Sequence, residues 1–504
     1  MRFSFIPAVL TLVSTVAAQT ITDVWQTTWD KAQLLSNPGG NTVTFGAPGD
    51  IGSADIVVND TSTQQTMAGF GSSLTDSSAQ LFAGLKSQNE GNYWKLLDYL
   101  FNTTNGANSA GFSYVRVPLG ASDFSANVYS FDNSGGPSLG STITELLSTF
   151  NFEAAPSDLL STLQDIMSVN SDVRLHVLPW SPPAWMKDSN SMNGGSLNDQ
   201  YTDAMASYLL KSLQGFKNAG LPVYAMSIQN EPMNSDGTYP TCNMPVETEA
   251  AIGKSLRSLM DSNGFNDTKL IGFEHNWSNA GDYPVQLMQQ AGDAFDGVSF
   301  HCYEGDVSNQ EQFTSQFPDK EVYFTECSGT LGSDWWTDIK WYMDNLFIGG
   351  PQYGSSSGLM WNLALDSNGG PKLPGTDSCG GAGCRGVVQI NDDGSWDVNQ
   401  EFYALGQAAK AVIPVDPNGP YAQRVDSSVG GDSGWALLVS AYATGRATAG
   451  DQTRYSLVVT NWNDGSDSGW NPQSVNATIE FRGKQATYTF PVGVTTLSWY
   501  ADGN

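Results

Sequence analysis

The sequence predicts an α/β protein, an eight-fold (β/α) barrel with a side β-sandwich built from both chain ends. Between residues 66 and 365, eight short apolar runs end in polar or glycine-rich loops, and stretches with helical spacing separate most of them. After about residue 408 the runs are β-rich and are separated by Gly/Asp/Ser turns. Such alternation is typical of a parallel barrel, although a doubly wound open sheet produces a similar pattern.

The N-terminal segment predicts export. Residues 1–18, MRFSFIPAVLTLVSTVAA, combine one Arg, an apolar run and small residues at the end, which is typical of a signal peptide. No later run approaches the ~20 apolar residues that a membrane helix needs. We therefore expect a secreted, extracellular protein without a membrane anchor. The N-x-S/T sites of a glycoprotein suit that route, and they are Asn59, Asn102, Asn266, Asn276 and Asn476.

The two ends of the mature chain predict the side β-sandwich. Residues 19–65 contain NTVTFGA and ADIVVND, which have the composition of strands and precede the first barrel run. Residues 409–504 contain WALLVSAYATG, TRYSLVVTNWN, SVNATIEFRG, QATYTFPVG and TTLSWYA, with no helical stretch between them. We expect the N-terminal strands to join the sandwich that the C-terminal strands form.

Residues 66–408 predict the barrel. Its candidate strands are TMAGFGSSL (66–74), FSYVRVPLG (112–120), VRLHVLPWS (173–181), VYAMSIQNE (223–231), KLIGFEHN (269–276), GVSFHCYE (297–304), EVYFTECSG (321–329) and LMWNLAL (359–365). Helical stretches such as YTDAMASYLLKSLQGFKNAG end on the glycine expected after a helix. Because the functional groups of such barrels lie at the C-terminal ends of the strands, the polar residues there are the candidate site.

Composition limits the partners. A formal net charge of −29 argues against nucleic acid and anionic polymers and favours a neutral substrate, although acidic surfaces also simply keep exported proteins soluble. Five cysteines in 504 residues indicate a large core, and the odd count leaves one thiol unpaired or shared between chains. Cys379 and Cys384, in DSCGGAGCRG, are the expected disulfide pair. With three histidines and no CxxC motif, we expect no zinc site, and no cofactor is predicted.

Polar side chains end two of the candidate strands in a suggestive way. Asn230 and Glu231 end the fourth strand, and Glu326 ends the seventh. A single glutamate there would more simply be a surface carboxylate or a helix cap. Two of them would face each other across the barrel mouth, one to protonate a leaving oxygen and one to attack the anomeric carbon. The pair predicts glycoside hydrolysis, with Asn230 donating to a sugar hydroxyl.

The chain resembles glycoside hydrolase family 30 over nearly the whole mature sequence. The motifs that carry the resemblance are FGSSLTDSSA, VRVPLGASDFS, LPWSPPAWMK, SIQNEP, SFHCY, FTECSG and WNLALDSNGGP. Several barrel glycosidase families share a bare NEP, whereas the last motif is nearly diagnostic. Members of this family join an eight-fold barrel to a side β-sandwich, so the resemblance implies the same fold.

The resemblance implies Glu231 as acid/base and Glu326 as nucleophile of a retaining, double-displacement mechanism. We expect the negative charge of Glu326 to raise the pKa of Glu231 and so to keep the acid protonated. The resemblance also implies a subsite for the reacting sugar, lined by Arg116, Asp123, Trp180, Asn230, His301, Tyr303 and Trp361.

Further residues carry expectations of their own. Tyr303 is expected to contact the nucleophile. Trp185 and Trp277 are candidate platforms for sugar rings and, equally, candidate core residues. Asn276 ends the fifth strand, so its glycosylation site is expected to face the cleft and to remain unmodified.

The resemblance is closest to the secreted endo-β-1,6-glucanase branch, which implies internal cleavage of a neutral polysaccharide, β-1,6-glucan. A glucosylceramidase-type β-glucosidase and a xylanase of the same family are the alternatives. The non-enzymatic alternative is a carbohydrate-binding protein without hydrolytic activity. An acidic chain without an anchor favours a soluble glucan over a membrane lipid. The sequence leaves open whether cleavage is internal or proceeds from a chain end. It also leaves the oligomeric state open, and we assume a monomer.

Overall fold

A computed structural model describes residues 19–39, 42–135, 141–466 and 469–503. The predicted signal peptide, residues 1–18, lies outside the described residues. Within those ranges, no helix combines the length and the apolar character needed to cross a membrane. The chain forms a parallel barrel and a separate, mostly antiparallel side sheet, so the predicted fold class is confirmed.

The chain enters the side sheet first and then the barrel. The side sheet takes β1 (Thr20–Thr28), β2 (Leu34–Ser36), β3 (Val43–Thr44) and β4 (Ala54–Thr66). The barrel strands are β5 (Gly69–Ser73), β6 (Tyr114–Pro118), β7 (Arg174–Leu178), β8 (Val223–Ser227), β9 (Lys269–Asn276), β10 (Gly297–His301), β11 (Glu321–Glu326) and, after the short β12 (Gly329–Thr330), β13 (Ser357–Met360).

The eight barrel strands are all parallel and run in the order β11-β10-β9-β8-β7-β6-β5-β13. Seven of them fall within the predicted runs, whereas β13 begins two residues before its run. The barrel closes between β11 and β13, where Ser356 N donates to Val322 O at 2.7 Å. Most positions are buried, as expected of parallel strands covered by helices on the outside.

Helices connect the barrel strands and cover their outer face. They are α1 (Asp76–Gln88), α2 (Glu90–Phe101), α3 (Ile143–Leu146), α4 (Ser157–Val169), α5 (Thr202–Asn218), α6 (Val246–Ser262), α7 (Tyr283–Ala291), α8 (Glu311–Thr314), α9 (Trp335–Tyr342) and α10 (Gly349–Gln352). Local sequence explains their starts. The Thr75 side chain accepts the Ser78 N–H at the beginning of α1, and Pro284 lies in the first turn of α7.

The barrel interior has two layers. The lower layer is mostly apolar and contains Ala68, Tyr114, Ala225, Ile271, Tyr323 and Leu359. The layer above it, toward the C-terminal ends of the strands, is polar although it is buried. We call it the polar layer, and it contains Arg116, His176, Ser227, Glu274, Ser299 and Thr325. Because buried polar groups need hydrogen-bonding partners, this layer forms a rigid floor for whatever lies above it.

The last part of the chain returns to the side sheet. It contains β14 (Ala364–Leu365), β15 (Cys384–Arg385), β16 (Val388–Ile390), β17 (Trp396–Val398), α11 (Gln400–Val412), β18 (Gln423–Gly430), β19 (Leu437–Thr444), β20 (Thr453–Asn461), β21 (Val475–Phe481), β22 (Lys484–Phe490) and β23 (Gly493–Ala501). Apolar residues from both chain ends pack into one hydrophobic core on this sheet, and they include Ile56, Leu457 and Trp499.

The two chain ends pair directly. β1 lies antiparallel to β23, and β4 lies between β18 and β21. The predicted domain limit at residues 408 and 409 falls inside α11, which packs against both the barrel and the side sheet. In that helix Gln407 donates to Thr27 Oγ1 at 3.0 Å and accepts from Thr496 Oγ1 at 2.7 Å. The helix therefore connects the barrel to strands from both ends of the chain.

Candidate active site

Most of the predicted site residues line one cavity at the C-terminal ends of the barrel strands. Its volume is about 290 Å³. The predicted residues in its wall are Asp123, Trp180, Asn230, Glu231, Tyr303, Glu326 and Trp361. The remaining two, Arg116 and His301, are fully buried and contact the two glutamates of the wall. The structure thus brings together every residue that the sequence assigned to the site.

Glu231 and Glu326 face each other across this cavity. Glu326 is the last residue of β11, and Glu231 follows β8 after three intervening residues. One carboxylate oxygen of each glutamate and one ring nitrogen of His301 lie within 4.8 Å of one another. Carboxyl groups stand roughly 5–5.5 Å apart in retaining glycosidases and roughly 6.5–9.5 Å apart in inverting ones. The close approach of the Glu231 and Glu326 oxygens is compatible with the retaining arrangement.

Two donors hold the Glu326 carboxylate. Arg116 Nη1 donates to its Oε2 at 2.5 Å, and Tyr303 OH donates to its Oε1 at 2.9 Å. The predicted contact of Tyr303 is confirmed. The Arg116 guanidinium is completely buried, so its charge acts on the carboxylate with little screening by water. Glu326 is therefore fixed in orientation, with a hydrogen bond to each of its carboxylate oxygens.

Arg116 also orients Asn230. Its Nη2 donates to Asn230 Oδ1 at 2.6 Å. The amide oxygen is therefore occupied, and the amide nitrogen is the group that Asn230 offers to the cavity. Donation from Asn230 to a sugar hydroxyl, which the sequence predicted, is compatible with this arrangement.

Glu231 accepts hydrogen bonds from His301 Nδ1 at 3.1 Å and from Asn234 Nδ2 at 2.9 Å. Burial raises the pKa of this carboxyl, but the hydrogen bond and the charge of His301 outweigh burial and lower the pKa to about 2. The expectation of a raised pKa for Glu231 is therefore wrong. The reason is that a cationic imidazole lies in direct contact with Glu231.

His301 lies between two carboxylates. Its Nδ1 contacts Glu231 and its Nε2 lies 3.3 Å from Glu274 Oε2. Burial lowers the pKa of His301, but the charge of Glu326 and the hydrogen bonds to Glu231 and Glu274 raise it to about 9. Glu231 and His301 therefore share one proton along a 3.1 Å hydrogen bond, and in the unliganded protein that proton lies on His301.

An aromatic wall closes one side of the cavity. Trp180 and Trp361 stack with ring centroids 5.0 Å apart and planes inclined by 22°. The Arg116 guanidinium carbon lies 4.8 Å from the Trp180 ring centre, which adds a cation–π contact. Trp277 is only 1% exposed and donates from Nε1 to Gln310, so of its two predicted alternatives, sugar platform or core residue, the core residue is confirmed. Trp185 does not line the cavity.

Asp123 is the one acid in the wall with an unused oxygen. Ser378 Oγ donates to its Oδ2 at 2.6 Å, whereas Oδ1 is buried and has no partner among the described residues. Burial raises the pKa of Asp123 to about 7, against the lowering effect of Ser378 and with the help of the Glu326 charge. Oδ1 is thus available to a ligand hydroxyl.

Both disulfides lie beside the site. The predicted bridge Cys379–Cys384 is confirmed, and both of its residues line the cavity. A second bridge, Cys302–Cys327, which the sequence did not predict, joins the residue after His301 to the residue after Glu326. It ties together the ends of β10 and β11. The unpaired thiol is the buried Cys242.

Asn276 is buried, and its Oδ1 accepts the Tyr303 backbone N–H at 3.0 Å. It does not line the cavity. A glycan would be attached to Nδ2 of this residue, which is only 6% exposed. That the site remains unmodified stays a prediction.

A larger cavity, of about 550 Å³, lies at the opposite end of the barrel. Its wall includes Tyr224, Glu321 and Tyr323, which belong to the N-terminal halves of β8 and β11. The Glu321 carboxylate is engaged by Lys269 at 2.9 Å and by Tyr323 OH at 2.6 Å. The wall also contains Glu311 and Asp319, but it contains none of the residues that the sequence assigned to the site. We therefore place the chemistry in the smaller cavity.

Glu231, His301 and Glu326 form the one cluster in the described chain whose ligand atoms could meet on a single cation. His301 carries protons on both ring nitrogens and directs both at carboxylates. The chemistry of the site is therefore derived from these side chains alone.

The sequence missed several residues of the site. Ser378, Tyr239 and Asn234 lie in loops, where no periodic pattern marks them. Glu274 lies inside the fifth predicted strand, KLIGFEHN, and its presence in an apolar run was the one signal that could have identified it.

Comparison with known proteins identifies the class. The chain matches the Glycosyl hydrolase family 30 TIM-barrel domain over residues 67–374. It belongs to this family, and the membership predicted from its motifs is confirmed. With this barrel and two facing glutamates, the protein is a glycoside hydrolase.

Individual relatives are similar along most of their length. The Endo-1,6-beta-D-glucanase of Neurospora crassa is 32% identical over 428 residues, covering 80% of this chain and 83% of the relative. Endo-1,6-beta-D-glucanase BGN16.3 of Trichoderma harzianum is 31% identical over 72% of this chain and 73% of its own. The solved structure of the endo-beta1,6-glucanase BT3312 superposes with a TM-score of 0.78 at 25% identity, over 95% of this chain and 99% of that one.

Proposed function

We propose that this glycoside hydrolase is a secreted, retaining endo-β-1,6-glucanase. The observation that carries the proposal is the pair of carboxylates of Glu231 and Glu326, which approach within 4.8 Å in one cavity. Relatives that are 32% and 31% identical bear the name endo-1,6-beta-D-glucanase, which supports the substrate. Secretion is supported by the signal-peptide pattern of residues 1–18.

In the first step Glu326 is the nucleophile. Its carboxylate attacks the anomeric carbon and forms an ester bond, while the bond from that carbon to the leaving oxygen breaks. Glu231 gives its proton to the leaving oxygen. Because the resting proton lies on His301, it has to pass along the Nδ1–Oε1 hydrogen bond to Glu231 before or during donation. Arg116 and Tyr303 keep Glu326 aimed at the anomeric carbon.

In the second step Glu231 is the base. It takes a proton from a water molecule, whose oxygen attacks the anomeric carbon as the ester bond to Glu326 breaks. Two inversions leave the product with the β configuration of the substrate. His301 then shares the recovered proton, which returns the site to its starting state.

The walls of the cavity fit one glucose unit. The stacked Trp180 and Trp361 provide an apolar surface for the sugar ring. Asp123 Oδ1 and the Asn230 amide nitrogen are free to pair with hydroxyls. A site built around such groups rejects an analogue that lacks the matching hydroxyl, because its own buried groups are then unpaired. Xylose lacks the hydroxymethyl arm of glucose, so xylan should be a poor substrate.

The proposal is tested by comparing hydrolysis of β-1,6-glucan, xylan and glucosylceramide at the same pH. We expect β-1,6-glucan to be cleaved fastest and to yield short oligomers from the earliest times, as internal cleavage requires. Proton NMR of the first product should show the β anomer. Faster cleavage of xylan or of the lipid refutes the substrate, and release of glucose alone refutes internal cleavage. A first product in the α form refutes the mechanism.

A further inference from the structure

Glu274 lies in the polar layer, immediately below the two catalytic glutamates, and has no role in the mechanism so far. Its side chain is completely buried. The backbone of β9 is unusual at this point, because Phe273 has φ 75° and Glu274 has φ 50°, a conformation that residues with side chains rarely adopt. The register of β9 against β10 also shifts here. This bulge rotates the Glu274 side chain into the barrel.

The surrounding structure supports the bulge on both sides. Glu249 of α6 accepts the Phe273 N–H through Oε1 at 3.0 Å. The Glu274 carbonyl accepts the N–H of Glu231, which itself has φ 46°, at 3.0 Å. Strained backbone of this kind persists at functional sites where its neighbours determine it. The backbones of Glu231 and Glu274 are thus locked to each other.

The Glu274 carboxylate contacts polar side chains from five other barrel strands. Oε1 is 2.6 Å from Ser227 Oγ and 3.2 Å from His176 Nε2. Oε2 is 2.7 Å from Thr325 Oγ1, 3.1 Å from Arg116 Nη2 and 3.3 Å from His301 Nε2. The same oxygen therefore contacts the guanidinium that holds Glu326 and the imidazole that holds Glu231.

We propose that Glu274 is a positioning residue for the reaction: its Oε2 orients Arg116 toward Glu326 and, at the same time, keeps His301 charged and directed at Glu231. The proposal rests on the roles proposed above for those two glutamates.

Electrostatics require such an anion. Arg116 Nη2 and His301 Nε2 lie 3.4 Å apart, so two cations would be in direct contact in a buried place. Like charges this close disfavour the protonated imidazole strongly when water is absent. Glu274 Oε2 lies within 3.3 Å of both and compensates both charges. Its own pKa is held well below the usual range, against the effect of burial, by the charge of Arg116 and by the hydrogen bond and charge of His301.

Several other titratable groups also face His301 and enter its protonation. They are Glu231 after β8, Glu326 of β11, Arg116 of β6, His176 of β7, His275 of β9 and Tyr303 after β10. Burial lowers the pKa of His176 to about 4, so this ring is neutral and adds no charge. Three anions thus lie near His301: Glu231, Glu326 and Glu274. Glu231 and Glu326 are the reacting groups. Glu274 is the one whose charge stays constant through the reaction.

The first test is a titration of the histidines by NMR, which needs no substrate. The chain has three histidines, and His301→Gln identifies the relevant signal. The samples are wild type, Glu274→Gln, which removes the charge, and Glu274→Asp, which keeps it. The control is Asp464→Asn, which changes another buried carboxylate; it pairs with Lys340 at 2.7 Å, and neither residue lines the cavity.

We expect His301 of wild type and of the control to keep its proton beyond neutral pH. In Glu274→Gln the pKa of the His301 ring should be at least about one unit lower than in wild type, because one of its compensating anions is gone. Glu274→Asp should titrate close to wild type. An unchanged His301 in Glu274→Gln overturns the proposal. If that variant does not fold, a His301 that loses its proton below about pH 7 in wild type or in Glu274→Asp overturns it equally.

The second test is kinetic. Glu274→Gln should lose at least about tenfold in kcat with KM changed by less than about threefold, because a misplaced catalytic group affects chemistry more than binding. The alkaline limb of its pH profile should move to lower pH together with His301. Glu274→Asp should recover the position of that limb even if its kcat is reduced. A limb that stays in place in Glu274→Gln contradicts the proposal. If β-1,6-glucan is not the substrate, the histidine titration still decides the role of Glu274.

Discussion

Replacing His301 with Gln should raise the pKa of Glu231 from about 2 to above its ordinary value of 4.5. Burial acts to raise that pKa, and the hydrogen bond and charge of His301 are the main opposing effects. Gln still donates a hydrogen bond but carries no charge. Once the charge is removed, burial dominates and favours the neutral acid.

The size of the effect follows from the same values. The interval between 4.5 and about 2 corresponds to roughly 3 kcal/mol, at about 1.4 kcal/mol per pKa unit. This energy belongs to the His301–Glu231 pair and is counted once, although it also contributes to the raised pKa of His301. It is therefore the largest loss of stability that the substitution should cause through this pair.

The sign of the pH dependence can be derived for each partner. Glu231 has a lowered pKa, so its contribution is present above pH 4.5 and is lost as the pH falls toward 2. His301 has a raised pKa, so its contribution is present below pH 6.5 and is lost as the pH rises toward 9. The stability difference between wild type and His301→Gln should therefore be greatest between about pH 4.5 and 6.5 and should fall on both sides.

Two measurements check this. Carbon NMR of glutamate-labelled protein, with Glu231→Gln to assign the signal, gives the carboxyl pKa, and urea unfolding from pH 3 to 9 gives the stability difference. The comparison variant is His275→Gln: the charge of His275 is a smaller cause of the lowered pKa of Glu231 than His301 is, so this substitution should raise that pKa less. A Glu231 pKa that stays near 2 without His301, or a stability difference independent of pH, would refute the reasoning.

Three further predictions follow from the site. Glu326→Gln should abolish turnover of every glycoside. Glu231→Gln should lose about 10²–10⁴-fold in rate on glucan and much less on an aryl glycoside, because an aryl leaving group needs no proton. Equal losses of rate on both substrates would place the acid elsewhere. Tyr303→Phe should lower kcat/KM about 10- to 100-fold, because a hydrogen bond to a charged acceptor contributes about 1.5–3 kcal/mol. An unchanged kcat/KM in steady-state kinetics would contradict a role for the 2.9 Å hydrogen bond from Tyr303 to Glu326. Replacing Cys302 and Cys327 together with Ser should reduce kcat while the side sheet keeps its fold, measured by kinetics and circular dichroism, because the bridge joins the strands that carry His301 and Glu326.

The sequence by itself was sufficient for the fold and for the two glutamates. The barrel strands could be recognised because parallel strands covered on both faces are continuous apolar runs, and each run that ends in a polar residue marks the barrel mouth. Glu231 and Glu326 stand at such ends, so their meeting in space followed from topology alone. The Cys379–Cys384 bridge could be predicted because its partners are close in sequence.

Only the tertiary structure decided the electrostatics of the site. The proton lies on His301 and not on Glu231 because of distances of about 3 Å between side chains from different strands, which no sequence spacing encodes. Glu274 was missed because its inward orientation depends on positive φ angles at Phe273 and Glu274, two residues that give no local signal of that conformation. The sequence determines which side chains reach the barrel mouth, because the order of the strands and the residues at their ends are set by the sequence pattern. Their charges and orientations depend on many weak contacts at once, and these exist only when the chain is folded.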